Sequence, residues 1–102
     1  MQEITVVELK KRLDTGEALH LIDVREPDEY TEYNIGAKLI PLGQIMSMQL
    51  DELEDLQEEE IIIHCRSGKR SLQACLFLET MGYTNVKNVT GGILAWQELT
   101  DK

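Results

Sequence analysis

The chain has 102 residues, a formal net charge of −9, 42% hydrophobic residues and only 5% aromatic ones. That length favours one domain over residues 1–102, with an aliphatic core that needs neither a disulfide nor a structural metal to fold. The acidic balance argues against nucleic acid or an anionic membrane surface as the main partner, and no apolar run approaches membrane-spanning length.

Met1-Gln2-Glu3-Ile4-Thr5 lacks the basic region and apolar core of a secretory signal. Thr5 and Glu8 form the capping-box pattern T-x-x-E, and Val6, Leu9 and Leu13 continue it at helical spacing to a stop at Gly16. Ala18 to Val24 reads as a buried strand. Arg25-Glu26-Pro27-Asp28 is turn chemistry, and Pro27 leads into a short helix, Asp28 to Tyr33. Lys38 to Leu42 reads as a strand ended by Pro41. Gln44 to Leu56 reads as a helix with Ile45, Met48 and Leu53 inward, its methionines filling core rather than binding a soft metal. The acidic run from Asp51 to Glu60 reads as a solvated helix end and loop, and it lacks the alternating ligands and glycine of a calcium loop.

Ile61 to His64 is the next strand, followed by a loop holding Cys65 and a helix from Ser71 to Met81 that stops at Gly82. Val86 to Val89 is the last strand. Gly91-Gly92 turns the chain into a final helix, Ile93 to Leu99, in which Ile93 and Trp96 share a buried face. Strands alternating with helices, several strands apolar on both sides, imply an α/β fold with a largely parallel central sheet. Ligands of such sheets sit beyond the carboxyl ends of the strands. Cys65, Asp23 and Arg25 all fall at that end.

The run His64-Cys65-Arg66-Ser67-Gly68-Lys69-Arg70-Ser71 carries the chemistry. A cysteine between a strand end and a helix start faces loop N–H groups and the positive end of the helix dipole. Both favour the thiolate, as do Arg66, Lys69 and Arg70. Gly68 lets the loop curl so that its N–H groups form an anion-binding nest. A small packing cysteine would need none of this. An acidic body with one basic island fits a small anionic ligand held at one spot. Lys69 and Arg70 are candidates to hold its oxyanion; Arg66 serves equally well as a solvent-exposed charge. Ser67 and Ser71 either donate to the anion or cap the helix. His64 reads as a hydrogen-bonded structural residue rather than a base, and Asp23 and Arg25 as a brace for the active loop.

Cys75 lies about a turn and a half into the predicted helix, on its apolar side with Leu72 and Leu76, too far along the helix for an undistorted disulfide to Cys65. Two free thiols suit a reducing compartment, and the cytoplasm is the expected location. His20, His64, Cys65 and Cys75 match no zinc spacing, so no metal and no cofactor is expected.

Four segments, in order, resemble the single-domain rhodaneses, the thiosulfate sulfurtransferase family. Asp23-Val24-Arg25 with Glu29-Tyr30 is similar to the first motif of that family. Gly36-Ala37 with Ile40-Pro41-Leu42 is similar to the next segment, the cysteine run to the active loop, and Gly91-Gly92-Ile93 with Ala95-Trp96 to the closing motif. The resemblance runs nearly end to end and implies a three-layer domain, its sheet flanked by helices. It departs at Tyr33-Asn34-Ile35-Gly36-Ala37, where the family commonly has Gly-His-Ile, one further residue and Gly-Ala. That change bears on substrate access or partner shape. The related phosphatases have Cys-x5-Arg, whereas here four residues separate Cys65 from Arg70. The shorter loop resembles the sulfurtransferases, whose pocket holds one extra sulfur.

The resemblance therefore implies transfer of a sulfane sulfur from thiosulfate or a similar donor, through a Cys65 persulfide, to cyanide or a thiol. Loop N–H groups of residues 66 to 70 and the helix dipole would stabilise the terminal sulfur. Two rival readings remain: a relay or regulatory module that hands sulfur to a protein partner, and a cysteine-dependent phosphatase or arsenate reductase, which the loop length disfavours.

Overall fold

The structure, a computed structural model, describes residues 1–101. Its centre follows from Ile61-Ile62-Ile63. Branched side chains suit an extended backbone, and successive ones point to opposite faces. All three are fully buried: Ile61 and Ile63 enter one core and Ile62 the other. Such a strand needs cover on both sides.

The strands are β1 (Gln2–Ile4), β2 (His20–Asp23), β3 (Lys38–Leu39), β4 (Ile61–His64) and β5 (Val86–Val89). They form one sheet in the order β1-β5-β4-β2-β3, and every neighbouring pair is parallel. Five α-helices cover it: α1 (Val6–Asp14), α2 (Pro27–Glu32), α3 (Leu42–Met46), α4 (Lys69–Thr80) and α5 (Gly92–Thr100). Leu9 of α1 and Trp96 of α5 pack with Ile62, while Ile45 of α3 and Ala74, Cys75 and Leu78 of α4 pack with Ile61 and Ile63. The result is a three-layer α/β arrangement with the central strand β4 aiming its carboxyl end at Cys65.

Local signals set the ends. Thr5 Oγ1 accepts from Glu8 N–H at 3.1 Å and starts α1. Pro27 occupies the first turn of α2, and Glu26 N–H donates to Glu29 Oε1 at 3.0 Å in a capping box.

Several expectations need correction. The first strand, β1, was not foreseen. The expected strand at Lys38 to Leu42 is a strand only over Lys38–Leu39; Ile40 and Leu42 N–H still donate to Asp23 O and Val24 O, and Pro41 leads the chain into α3. The single helix expected from Gln44 to Leu56 is α3, a left-handed residue at Met48 (φ 63°) and a 3-10 turn at Asp51–Leu53. Ile45 and Leu53 are buried as expected, but Met48 is 60% exposed. Leu76, expected beside Cys75 on the apolar side, is also exposed.

Candidate active site

The loop after β4 has its carbonyls turned outward. Ile93 N–H donates to Cys65 O at 2.9 Å and Leu94 N–H to Arg66 O at 3.0 Å, both from the start of α5. In a trans peptide the N–H points away from the C=O. Fixing the Arg66 carbonyl outward therefore turns the Ser67 N–H inward, toward the sulfur. Gly68, at φ 99°, continues the curl and gives its N–H to Cys65 Sγ at 3.1 Å. α4 then begins at Lys69, with its unpaired N-terminal N–H groups facing the same sulfur.

Burial alone would push the Cys65 thiol up. The Ser71 hydroxyl and the N–H groups of Ser71, Gly68 and Ser67 outweigh it and hold the thiol below its ordinary value. Cys75, buried without such donors, is pushed up to about 12. Both cysteines are free. The two thiols thus differ because of the groups around them, and Cys65 is the better nucleophile at neutral pH.

The cations are divided. Arg70 donates to both carboxylate oxygens of Glu29, at 2.7 and 2.9 Å, and this pair is the first cause of holding Glu29 down to about 2. Any anion arriving at the loop therefore meets an Arg70 already paired with Glu29. Lys69 is exposed and makes no ion pair among the described residues. Arg66 is exposed and lines a pocket of about 200 Å³ with Arg25, Glu29, Tyr33, Ile93 and Leu94. Ser67 is exposed; the helix-capping position belongs to Gly68, not to Ser67 or Ser71. Ser71 is fully buried, its Oγ 3.5 Å from Cys65 Sγ.

Asp23 and Arg25 are buried and hold one another. Arg25 Nε donates to both Asp23 oxygens at 3.1 Å, and Nη2 donates to Asp23 Oδ2 at 2.9 Å and to Tyr33 O at 2.5 Å. Among the described residues neither side chain hydrogen-bonds residues 65–71, so a direct brace to the loop is absent. The pair instead fixes the end of β2 and the segment after α2. Asp23 Oδ2 lies 3.7 Å from His64 Nε2, and burial, opposed by Asp23, holds His64 below its ordinary value. His64 Nδ1 lies 3.4 Å from Cys65 O. A larger cavity of about 550 Å³, bordered by His20, Leu21, Lys38 and Leu56, contains none of these residues.

Sequence reasoning overlooked three participants. Asn88 on β5 donates through Nδ2 to Gly68 O at 3.2 Å. Its signal was a polar residue on the same strand face as buried Val86. Glu29 was seen only as part of a motif. Gly92 was read as a turn residue, yet a Cβ there would stand 2.7 Å from Arg66 O and closer still to Cys65 O. Among the described residues no group of three His, Cys, Asp or Glu could hold a metal ion, and no helix is long and apolar enough to cross a membrane.

A curled loop that turns its N–H groups on a buried sulfur suits a cysteine that takes up negative charge. Residues 5–99 match the Rhodanese-like domain, and the chain belongs to that family. It is a rhodanese-type sulfurtransferase. A protein named "Sulfurtransferase" from Allochromatium vinosum is 35% identical over 94% of this chain and 88% of its own. "Thiosulfate:glutathione sulfurtransferase" of Homo sapiens is 32% identical over 93% of this chain and 92% of its own. The crystal structure of a rhodanese-like domain protein from Staphylococcus aureus is 36% identical, with a TM-score of 0.79 over 94% of this chain and 91% of that one.

Proposed function

We propose that residues 1–102 act as one unit that moves a sulfane sulfur in two displacements at Cys65. The Cys65 thiolate attacks the outer sulfur of thiosulfate. The S–S bond of the donor breaks, and sulfite leaves with the electron pair. Cys65 then carries a persulfide whose terminal negative charge faces the loop N–H groups and the start of α4. An acceptor, cyanide or a thiol, attacks that outer sulfur and returns the thiolate. No general base is required, because the thiol ionises readily where it sits.

The observation that carries this reading is the Gly68 N–H on Cys65 Sγ at 3.1 Å, at the head of α4. Arg66, Lys69 and Arg70 supply positive charge for the donor's sulfonate end, with Arg70 shared between the donor and Glu29. Cys65 has no exposed surface, so loading requires the side chains over it to move. Two free thiols fit a reducing compartment, the cytoplasm in this reading.

A second reading, delivery of sulfur to a protein thiol, draws support from Leu94. It is 43% exposed beside Arg66 at the mouth of the 200 Å³ pocket, an apolar contact that a small acceptor does not need.

Steady-state kinetics with thiosulfate and varied cyanide or glutathione tests the proposal. Parallel double-reciprocal lines, abolished by Cys65→Ser, are expected. Intersecting lines, or undiminished turnover by Cys65→Ser, would overturn it. Slow turnover with both small acceptors but fast transfer to a protein thiol would select the second reading.

A further inference from the structure

Behind the sulfur, the Ser71 hydroxyl lies between Cys65 and Asn88. The fully buried Ser71 places its Oγ 3.5 Å from Cys65 Sγ and within hydrogen-bond reach of Asn88 Oδ1. Asn88 is 5% exposed, and its Nδ2 donates to Gly68 O at 3.2 Å. A peptide carbonyl only accepts, so this bond fixes the carboxamide orientation and leaves Oδ1 toward Ser71. Oδ1 also only accepts. The Ser71 hydroxyl therefore has one proton and two acceptors.

We propose that Asn88 is a positioning residue for the reacting sulfur: it competes with Cys65 for the single Ser71 proton, so the hydroxyl serves Cys65 when Sγ is an anion and Asn88 when Sγ is neutral. As a thiol, Cys65 donates S–H to Ser71 Oγ, and Ser71 donates to Asn88; every group has a partner. On ionisation the thiol proton leaves to solvent water, and Sγ becomes an acceptor. Hydrogen bonds to an ionised partner are roughly twice as strong as neutral ones. The hydroxyl then turns to the sulfur, and Asn88 Oδ1 is left buried without a donor, which costs free energy. In a persulfide the charge moves to the outer sulfur, Sγ is neutral, and the hydroxyl returns to Asn88. This last step rests on the sulfur-transfer reading; the first two do not. Asn88 thus favours the thiol and the loaded enzyme over the empty thiolate, and sulfur stays on Cys65 until an acceptor takes it.

The surroundings of Cys65 leave this competition legible. Arg70 and Cys75 of α4 feel its charge, and His64 of β4 lies against its carbonyl with Asp23 and Arg25 of β2 behind. Arg66 and Lys69 flank it in the chain. β5 brings the neutral Asn88, and α5 brings Gly92, Ile93 and Leu94 to the loop.

The test is the pH profile of Cys65 alkylation by iodoacetamide, followed by peptide mass mapping, for the native chain, Asn88→Leu, Ser71→Ala and the double variant. Removing the competitor is expected to move the native midpoint down by about one pH unit. The same substitution should leave the midpoint in place when Ser71 is already Ala. A purely structural role, through the Gly68 bond, would move both backgrounds alike and overturn the proposal. Because Asn88→Leu also strips Gly68 O of a donor, a second readout leaves position 88 intact. The Asn88 side-chain carbonyl resonance in the native chain should titrate with Cys65 and largely lose that response in Ser71→Ala; an unmoved resonance in the native chain would also overturn it. Neither experiment uses a sulfur donor, so failure here is separate from failure of the sulfur-transfer reading.

Discussion

Gly92→Ala isolates the contact that turns the loop carbonyls outward. Gly92 has φ 54°, and its Cα sits so close to the loop that a methyl would press on Arg66 O at 2.7 Å and on Cys65 O more closely still. Both atoms are backbone and cannot swing aside. α5 must retreat, breaking the bonds from Ile93 and Leu94 N–H, worth about 1 kcal/mol each. The left-handed backbone adds about 1–2 kcal/mol for a residue with a Cβ, and repacking α5 adds about 1–3 kcal/mol. Together the loss is about 4 kcal/mol or more, a large share of the roughly 5–15 kcal/mol that a domain holds. Gly82→Ala is the control: φ is 97°, but nothing lies within 4 Å of the added carbon. It should cost only the backbone share, about 1–2 kcal/mol. Urea unfolding of the two variants measures the difference, and the heat-unfolding midpoint of Gly92→Ala should fall by roughly 15–30 °C. If Gly92→Ala costs no more than Gly82→Ala, the close approach of α5 does not hold the loop.

Asp23→Ala leaves the buried Arg25 guanidinium without its counter-charge and should cost about 3–5 kcal/mol in chemical denaturation; a loss under about 1 kcal/mol would show that Tyr33 O and solvent suffice. Glu60 is held down to about 2, first by Arg12, with burial opposing and Lys87 assisting. Its folded value lies below the ordinary 4.5, so its stabilisation is complete above that pH and disappears as pH falls toward 2. The pair is partly solvated, so the amount is about 1 kcal/mol; Glu60→Gln should flatten that part of the acid limb, and an unchanged limb would remove Glu60 from the account. At neutral pH, limiting iodoacetamide should label Cys65 before Cys75, and a bulky maleimide should label Cys65 more slowly because the residue is fully covered. Faster labelling of Cys75 would contradict the assignment of the nucleophile.

What the sequence discloses here depends on how local each cause is. β4 and β5 were legible to the residue, because β4 is a run of three isoleucines and β5 begins and ends on valine just before the Gly91-Gly92 turn. β1 was not: its three residues, Gln2–Ile4, include one buried side chain, and it exists by pairing with β5, more than eighty residues away. The break at Met48 was equally hidden, since methionine is a good helix former. A helix through Leu56 would have set Asp51 against Asp55 at i,i+4 and against Glu54 at i,i+3, where like charges repel. The chain instead presents Leu53 O to Tyr83 Oη, which donates at 2.9 Å. At the site, the nest around Cys65 was legible because Gly68 and the helix start lie within a few residues of it. The Glu29 grip on Arg70, the α5 brace and Asn88 were not, because each reaches the loop from a distant part of the chain.

The central claim is that Cys65 carries sulfur. Intact-protein mass spectrometry after incubation with thiosulfate, on the native chain and Cys65→Ser, with cyanide added afterwards, tests it most directly. A gain of one sulfur atom is expected on the native chain only, reversed by cyanide. An adduct on Cys65→Ser, or none on a native chain whose Cys65 still alkylates readily, would contradict it.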